Sequence, residues 1–128
     1  MKAEAQGFLD KAERALKAAE ILLQAGDAEN AIGRAYYAML HTAQALLRER
    51  DLSYRKHSGV HSAFGQHFAK TGELDPKFHR WLLAAFNHRL KSDYDFEVAV
   101  GSDSVKTVIE QAHEFLKEAR GYLERRGK

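Results

Sequence analysis

Apolar residues return along the chain in steps of four and three. Ala5, Leu9, Ala12, Leu16, Ala19 and Leu23 form one such run, which places them on a single face of an α-helix. Gly26 ends that stripe, and Asp27 is suited to cap the next helix. There Ile32, Tyr36, Met39, Ala43 and Leu46 repeat the spacing up to about Asp51. A polar loop from Asp51 to Lys56 precedes a candidate helix start at His57-Ser58. This third helix reads as short and poor, because Gly59 and Gly65 fall inside it, and it stops at Gly72. Asp75-Pro76 combines an N-cap with a proline at the first helical position, and the fourth helix runs to at least Lys91 with Phe78, Leu82 and Ala85 on one stripe. After a loop around Gly101, Ser102 or Asp103 is the candidate cap of a last helix. That helix turns Val105, Val108, Ile109, Ala112, Phe115, Leu116, Ala119 and Leu123 inward. No segment of useful length alternates with period two, so no sheet is expected. Four long helices and one short one with short connections predict an all-α, up-and-down bundle of four to five helices.

Composition agrees with the pattern and narrows the function. Alanine, leucine, glutamate and lysine dominate and there is one proline. The length of 128 residues suits a single domain spanning 1–128. With no cysteine, disulfide frameworks, thiolate zinc sites and cysteine nucleophiles are excluded. No apolar run is long enough to span a bilayer and none resembles a signal-peptide core, so a soluble cytoplasmic protein is expected, with no membrane partner. The net charge of +2 is an average over an uneven distribution. From Arg48 to Lys91 there are nine basic residues against four acids, and from Lys77 to Lys91 there is no acid at all. Trp81, Phe86, His79 and His88 are interspersed there, a composition able to hold phosphates and equally compatible with a solvated helix face.

Three local features carry candidate chemistry. His57 and His61 are four residues apart, close enough to share a helix face, but no third ligand stands at a suitable offset, so no metal and no cofactor is expected. In the segment RLKSDYDF, Arg89 continues the buried stripe of the fourth helix. An arginine there needs a partner, a wet cleft or an anionic ligand. Asp93, four residues on, is the internal partner, whereas Tyr94 and Phe96 supply aromatic surface suited to a stacked base. In GRAYYAML, Tyr36 belongs to the core stripe. Tyr37 points about 100° away, toward a neighbouring helix or another subunit. Arg34 lies off the stripe. Glycine-rich phosphate loops, nucleophile elbows and HExxH are all missing.

Taken together, AIGRAYYAMLHTAQALL, KHSGV, RLKSDYDF and AHEFLKEARGYL resemble the HEPN family, over roughly residues 5 to 124. The most specific blocks are Arg34–Ala38, His57-Ser58-Gly59 and Arg89 with Asp93-Tyr94. The resemblance implies a four- or five-helix bundle paired as a homodimer. It also implies kinship with metal-independent endoribonucleases that act as toxins, several of them encoded beside a minimal nucleotidyltransferase that serves as antitoxin. In those enzymes an arginine is followed after four to six residues by a histidine. Arg89 matches the arginine, while Tyr94 stands where a histidine often does, and the next histidine is His113. Arg50 and His57 reproduce the spacing only across a loop, which reads as chance.

The leading expectation is a dimeric component, binding RNA or a nucleotide, of a nucleotidyltransferase-linked, toxin–antitoxin-like system. Arg34, Lys77, Arg80, Arg89 and Lys91 are its candidate phosphate-binding residues, and Tyr37 is its candidate interface residue. A second expectation is a weak endoribonuclease using Arg89 with Asp93, Tyr94 or the displaced His88. A third is a non-catalytic bundle that docks a nucleotidyltransferase through an exposed apolar patch, with Tyr37 a candidate.

Overall fold

The computed structural model describes residues 1–94 and 100–126, with the backbone alone at Tyr94. Five helices follow in order: α1 (Ala3–Gln24), α2 (Ala28–Glu49), α3 (His57–Phe64), α4 (Lys77–Tyr94) and α5 (Ser102–Arg126). No strand occurs among the described residues. No helix among them is long and apolar enough to cross a membrane.

Helix ends follow from local chemistry. At the end of α1, Gly26 adopts φ 86°, and the amides of Gly26 and Asp27 turn back to the carbonyls of Leu23 and Leu22. This paired reversal satisfies carbonyls that the helix cannot. Asp27 then caps α2 by accepting from the Asn30 amide at 3.2 Å. The end of α2 repeats the reversal, with Asp51 (φ 61°) in the place a glycine usually takes, and Asp51 and Leu52 bonded back to Arg48 and Leu47. Asp75 accepts from the Lys77 amide at 2.9 Å where α4 begins. The last helix starts at Ser102, so Ser102 and Asp103 lie inside its first turn.

Every residue of the predicted inward stripes is buried except Leu23, which is half-buried. Cross-links give the directions. Phe8 of α1 meets His41 of α2, and Glu13 and Glu20 of α1 bond Arg120 and His113 of α5, so α1 runs against both. Ser92 reaches the Glu29 carbonyl while Phe86 meets Tyr36, so α4 runs against α2. The result is the expected up-and-down bundle. Helix α3 covers the gap between α2 and α4, then passes into a π-helical turn at Gly65–Ala69.

Candidate functional site

Tyr36 and Tyr37 are neighbours on α2 and their side chains diverge into the seam between α2, α3 and α4. Tyr36 is fully buried. Its hydroxyl lies 2.8 Å from His61 Nε2 and 3.4 Å from His57 Nδ1, both on α3. A phenol has one proton, so it donates to one imidazole and accepts from the other. Assigning the donated bond to the shorter contact leaves His57 protonated on Nδ1, with its Nε2 lone pair free. Phe86 of α4 closes the cluster, 5.5 Å from Tyr36 and 5.0 Å from His61 between ring centroids.

Arg89 stands at the end of the α4 stripe, half-buried, as its spacing predicts. Its guanidinium lies 5.0 Å from the Tyr37 ring centroid and 5.6 Å from that of Tyr36. The internal partner is present too: Arg89 Nε is 3.4 Å from Asp93 Oδ2. Among the described residues its one carboxylate contact is through Nε, which leaves most of a five-donor fork for an anion. On the Tyr37 ring sits a second guanidinium, that of Arg34, 4.8 Å from the centroid. One aromatic ring thus joins two cations from different helices.

His57 completes this group. Its ring is 5.7 Å from Tyr37 and edge-on to it. Burial pushes its pKa below the ordinary value and the Arg89 charge adds to the shift, so the imidazole is neutral at pH 7. For the more buried His61, burial and then the neighbouring His57 and His79 push the pKa down to about 4. Burial pushes the Tyr36 phenol up and the Arg89 charge only partly offsets this, so Tyr36 stays a neutral hydrogen-bonding group. Two guanidiniums on the Tyr37 ring, with the neutral His57 imidazole against the same ring, make a site suited to a phosphate. A neutral base stands at its edge.

The structure sorts the candidate residues into two sets. Arg34, Tyr37, Arg89 and Asp93 come together. Lys77, Arg80 and Lys91 do not join them. Arg80 and Lys91 lie on the outward face of α4, roughly half a turn round the helix from Arg89. Lys77 is held by Glu114 of α5 at 2.6 Å and covers the Phe78 and Trp81 rings. The side chain of Tyr94, and Phe96, lie outside the described residues. Arg50 is engaged elsewhere, donating to the His67 carbonyl and the Tyr122 hydroxyl and lying over Phe68. The residue that sequence spacing missed is His57 as a companion of Arg89. The signal was its placement in the KHSGV block, but the arginine it faces is on another helix. Among the described residues no three histidine, aspartate or glutamate side chains stand close enough to hold a metal ion.

Comparison with known proteins bears on the whole bundle. The HEPN domain family profile matches residues 5–122. A Methanocaldococcus jannaschii protein named "Putative toxin MJ0142" is 33% identical over 122 residues, covering 95% of this chain and 83% of its own. The Gloeobacter violaceus "UPF0332 protein glr0978" is 36% identical over 124 residues, 96% of this chain and 98% of its own. A "UPF0332 protein" of Thermotoga maritima is 36% identical over 106 residues, 83% and 80% of the two chains. With the profile matched from Ala5 to Tyr122 and the helical order and Arg34, His57 and Arg89 blocks in place, the chain belongs to the HEPN domain family.

Proposed function

We propose that this is a toxin-like HEPN protein that binds RNA or a nucleotide through phosphate at Arg89, works as a homodimer with Tyr37 near the seam, and pairs with a minimal nucleotidyltransferase. The observation that carries the reading is the Arg89 guanidinium, set on two tyrosine rings with one 3.4 Å carboxylate contact among the described residues, and sharing the Tyr37 ring with the guanidinium of Arg34. Stacking on the tyrosines holds it in position while leaving donors for an anion. Two relatives in M. jannaschii, both named "Putative toxin", support the toxin-like part. The homodimer and the nucleotidyltransferase partner rest on what the family resemblance implies. Fluorescence anisotropy with labelled single-stranded RNA tests the site. Arg89→Ala is expected to weaken binding about tenfold and to make the salt dependence shallower by about 0.7 per lost phosphate contact. Unchanged affinity and slope would show that Arg89 is not the phosphate ligand. Size-exclusion chromatography with light scattering tests the dimer, and co-purification with the product of an adjacent reading frame tests the partner.

His57 favours a second reading, a metal-independent endoribonuclease. In it His57 Nε2 takes the proton of a ribose 2′-hydroxyl, and the 2′-oxygen bonds to phosphorus. The phosphorus–5′-oxygen bond breaks, the 5′-oxygen takes a proton from solvent, and a 2′,3′-cyclic phosphate remains. Arg89 faces the developing charge. Incubation with RNA in EDTA checks it: cleavage by the wild type, lost in both His57→Ala and Arg89→Ala, is the expected result. Equal cleavage by all three proteins would mark it as contamination.

A further inference from the structure

Beyond Arg34, the face shared by α1 and α2 continues as a groove of about 220 Å³ lined by Lys11, Arg14, Ala15, Ala18, Arg34 and His41. It holds three cations and no acid. None of Lys11, Arg14, Arg34 and Arg48 forms an ion pair among the described residues. An adjoining groove of about 420 Å³ shares Lys11 and Arg14 and adds Phe8 and Arg48, with Glu4 and Asp10 also on its wall. Along this face runs a row of three half-buried rings. Tyr37 and His41 are 6.0 Å apart, His41 and Phe8 are 6.1 Å apart, and each pair is inclined by 30°. Each end of the row carries two cations. Arg34 and Arg89 flank Tyr37, while Lys11 and Arg48 lie 5.6 and 5.5 Å from Phe8. Cations at both ends of a row of aromatic rings along one face fit a nucleic-acid single strand, which presents phosphates to the cations and bases to the rings. An acidic protein surface would account for the charges but not for the rings.

We infer that the α1–α2 groove of Lys11, Arg14 and His41 is a second phosphate subsite, which carries a single-stranded RNA away from Arg89 toward Phe8 and Arg48. This rests on Arg89 being a phosphate site and adds to it a direction and a length. RNA reaching only Arg89 and Arg34 leaves the groove empty; a longer strand fills it. His41 supports the track as a neutral ring. Its Nδ1 donates to Gln44 at 2.8 Å, and burial, together with the charges of Lys11 and Arg34, holds its pKa below the ordinary value against that bond.

The test compares labelled single-stranded RNAs of about 4 and about 16 nucleotides, spanning the range of common single-strand sites. They are titrated against the wild type, Lys11→Gln/Arg14→Gln and Arg89→Ala. Lys11 and Arg14 are exposed, so the double variant keeps its helicity by circular dichroism. The expected result is a loss of about tenfold or more on the longer RNA only. The slope of log affinity against log salt becomes shallower by about 1.4, since each phosphate contact to a single strand contributes about 0.7. If the double variant binds both RNAs like the wild type while Arg89→Ala is weakened, the groove is not a subsite and the Arg89 reading stands. If neither variant is weakened, both fail. A poly-glutamate peptide bound by the wild type and lost in the double variant, with RNA binding intact, overturns the inference in favour of an acidic protein surface.

Discussion

His61 shows what the site asks of one side chain. It is 7% exposed, bonded to the Tyr36 hydroxyl and edge-on to Phe86. A proton on it would convert Nε2 from acceptor to donor and place a charge among apolar rings beside two other imidazoles. Its pKa is accordingly down at about 4, with burial the first cause. Below the ordinary histidine value of about 6.5 the unfolded chain binds this proton and the folded chain does not. Stability from His61 is therefore complete above about pH 6.5 and is lost progressively as pH falls toward 4. His57 and His41, whose pKa values are also lowered by burial, act in the same direction. Urea denaturation at about pH 7.5, 6 and 5 is expected to show stability falling on acidification. The fall approaches 1.4 kcal/mol for each pH unit in which His61 alone stays neutral in the fold, about the value of one proton. His61→Gln retains a hydrogen-bonding partner for Tyr36 and removes the titration, so its profile should be flatter. Parallel profiles would assign the acid sensitivity to other groups. Sequence spacing showed His61 only as a neighbour of His57. Its bond to Tyr36 joins residues 25 positions apart, and a helical repeat contains no such term.

At the scale of elements, the contrast between α3 and the other helices is instructive. Stripes and boundary signals made α1, α2, α4 and α5 legible: each buries one face, α1 and α2 end at Gly26 and Asp51, and α4 and α5 begin after Asp75 and Gly101. The glycines of the third helix read as weakness, since glycine costs about 1 kcal/mol in a helix interior. Both instead make room for a ring. A side chain at Gly59 would meet Tyr54 at 3.2 Å, and one at Gly65 would meet the His79 imidazole at 2.7 Å. Gly65 has ordinary helical angles, φ −58° and ψ −48°, so it is the close approach of His79 that requires glycine there. That approach lets His79 Nε2 donate to the His61 carbonyl at 3.1 Å, which ties α4 to α3 just before the π-helical turn. The widened turn itself, closed by the Lys70 amide on the Gly65 carbonyl at 2.8 Å, has no signature in local propensity. Gly65→Ala is expected to destabilise the protein by about 1–3 kcal/mol through overpacking, measured by chemical denaturation. The combination with His79→Ala should recover part of that loss, because the clash is gone. Strict additivity of the two substitutions would show that they do not meet.

For the whole molecule, the question is which side of the bundle carries the charge that matters. The basic stretch from Arg48 to Lys91 was visible in the sequence as a sum, but folding divides it. Arg89 turns inward onto the Tyr37 ring, which it shares with Arg34, and Arg34 lines a groove with Lys11 and Arg14, two residues of α1 outside that stretch. Arg80 and Lys91 turn outward on the far side of α4. Composition could not reveal this division, since it depends on the phase of each residue round its helix and on which helix lies beside it. Each face offers a pair of exposed cations, and this makes the two faces separable by experiment. Arg80→Ala/Lys91→Ala and Lys11→Gln/Arg14→Gln each remove two positive charges and change the net charge equally. A protein that attracts RNA only through its overall field would lose affinity to the same extent in both. A located site loses it on one face only, because phosphate contacts act within about a Debye length, roughly 8 Å at physiological salt. Anisotropy titrations with single-stranded RNA at about 0.15 M salt are expected to leave Arg80→Ala/Lys91→Ala within about threefold of the wild type. Arg89→Ala should fall about tenfold, near the 1.4 kcal/mol that a tenfold change represents. The reverse order would move the RNA to the outward face of α4 and leave the Arg89–Asp93 pair a purely structural contact between successive turns of one helix.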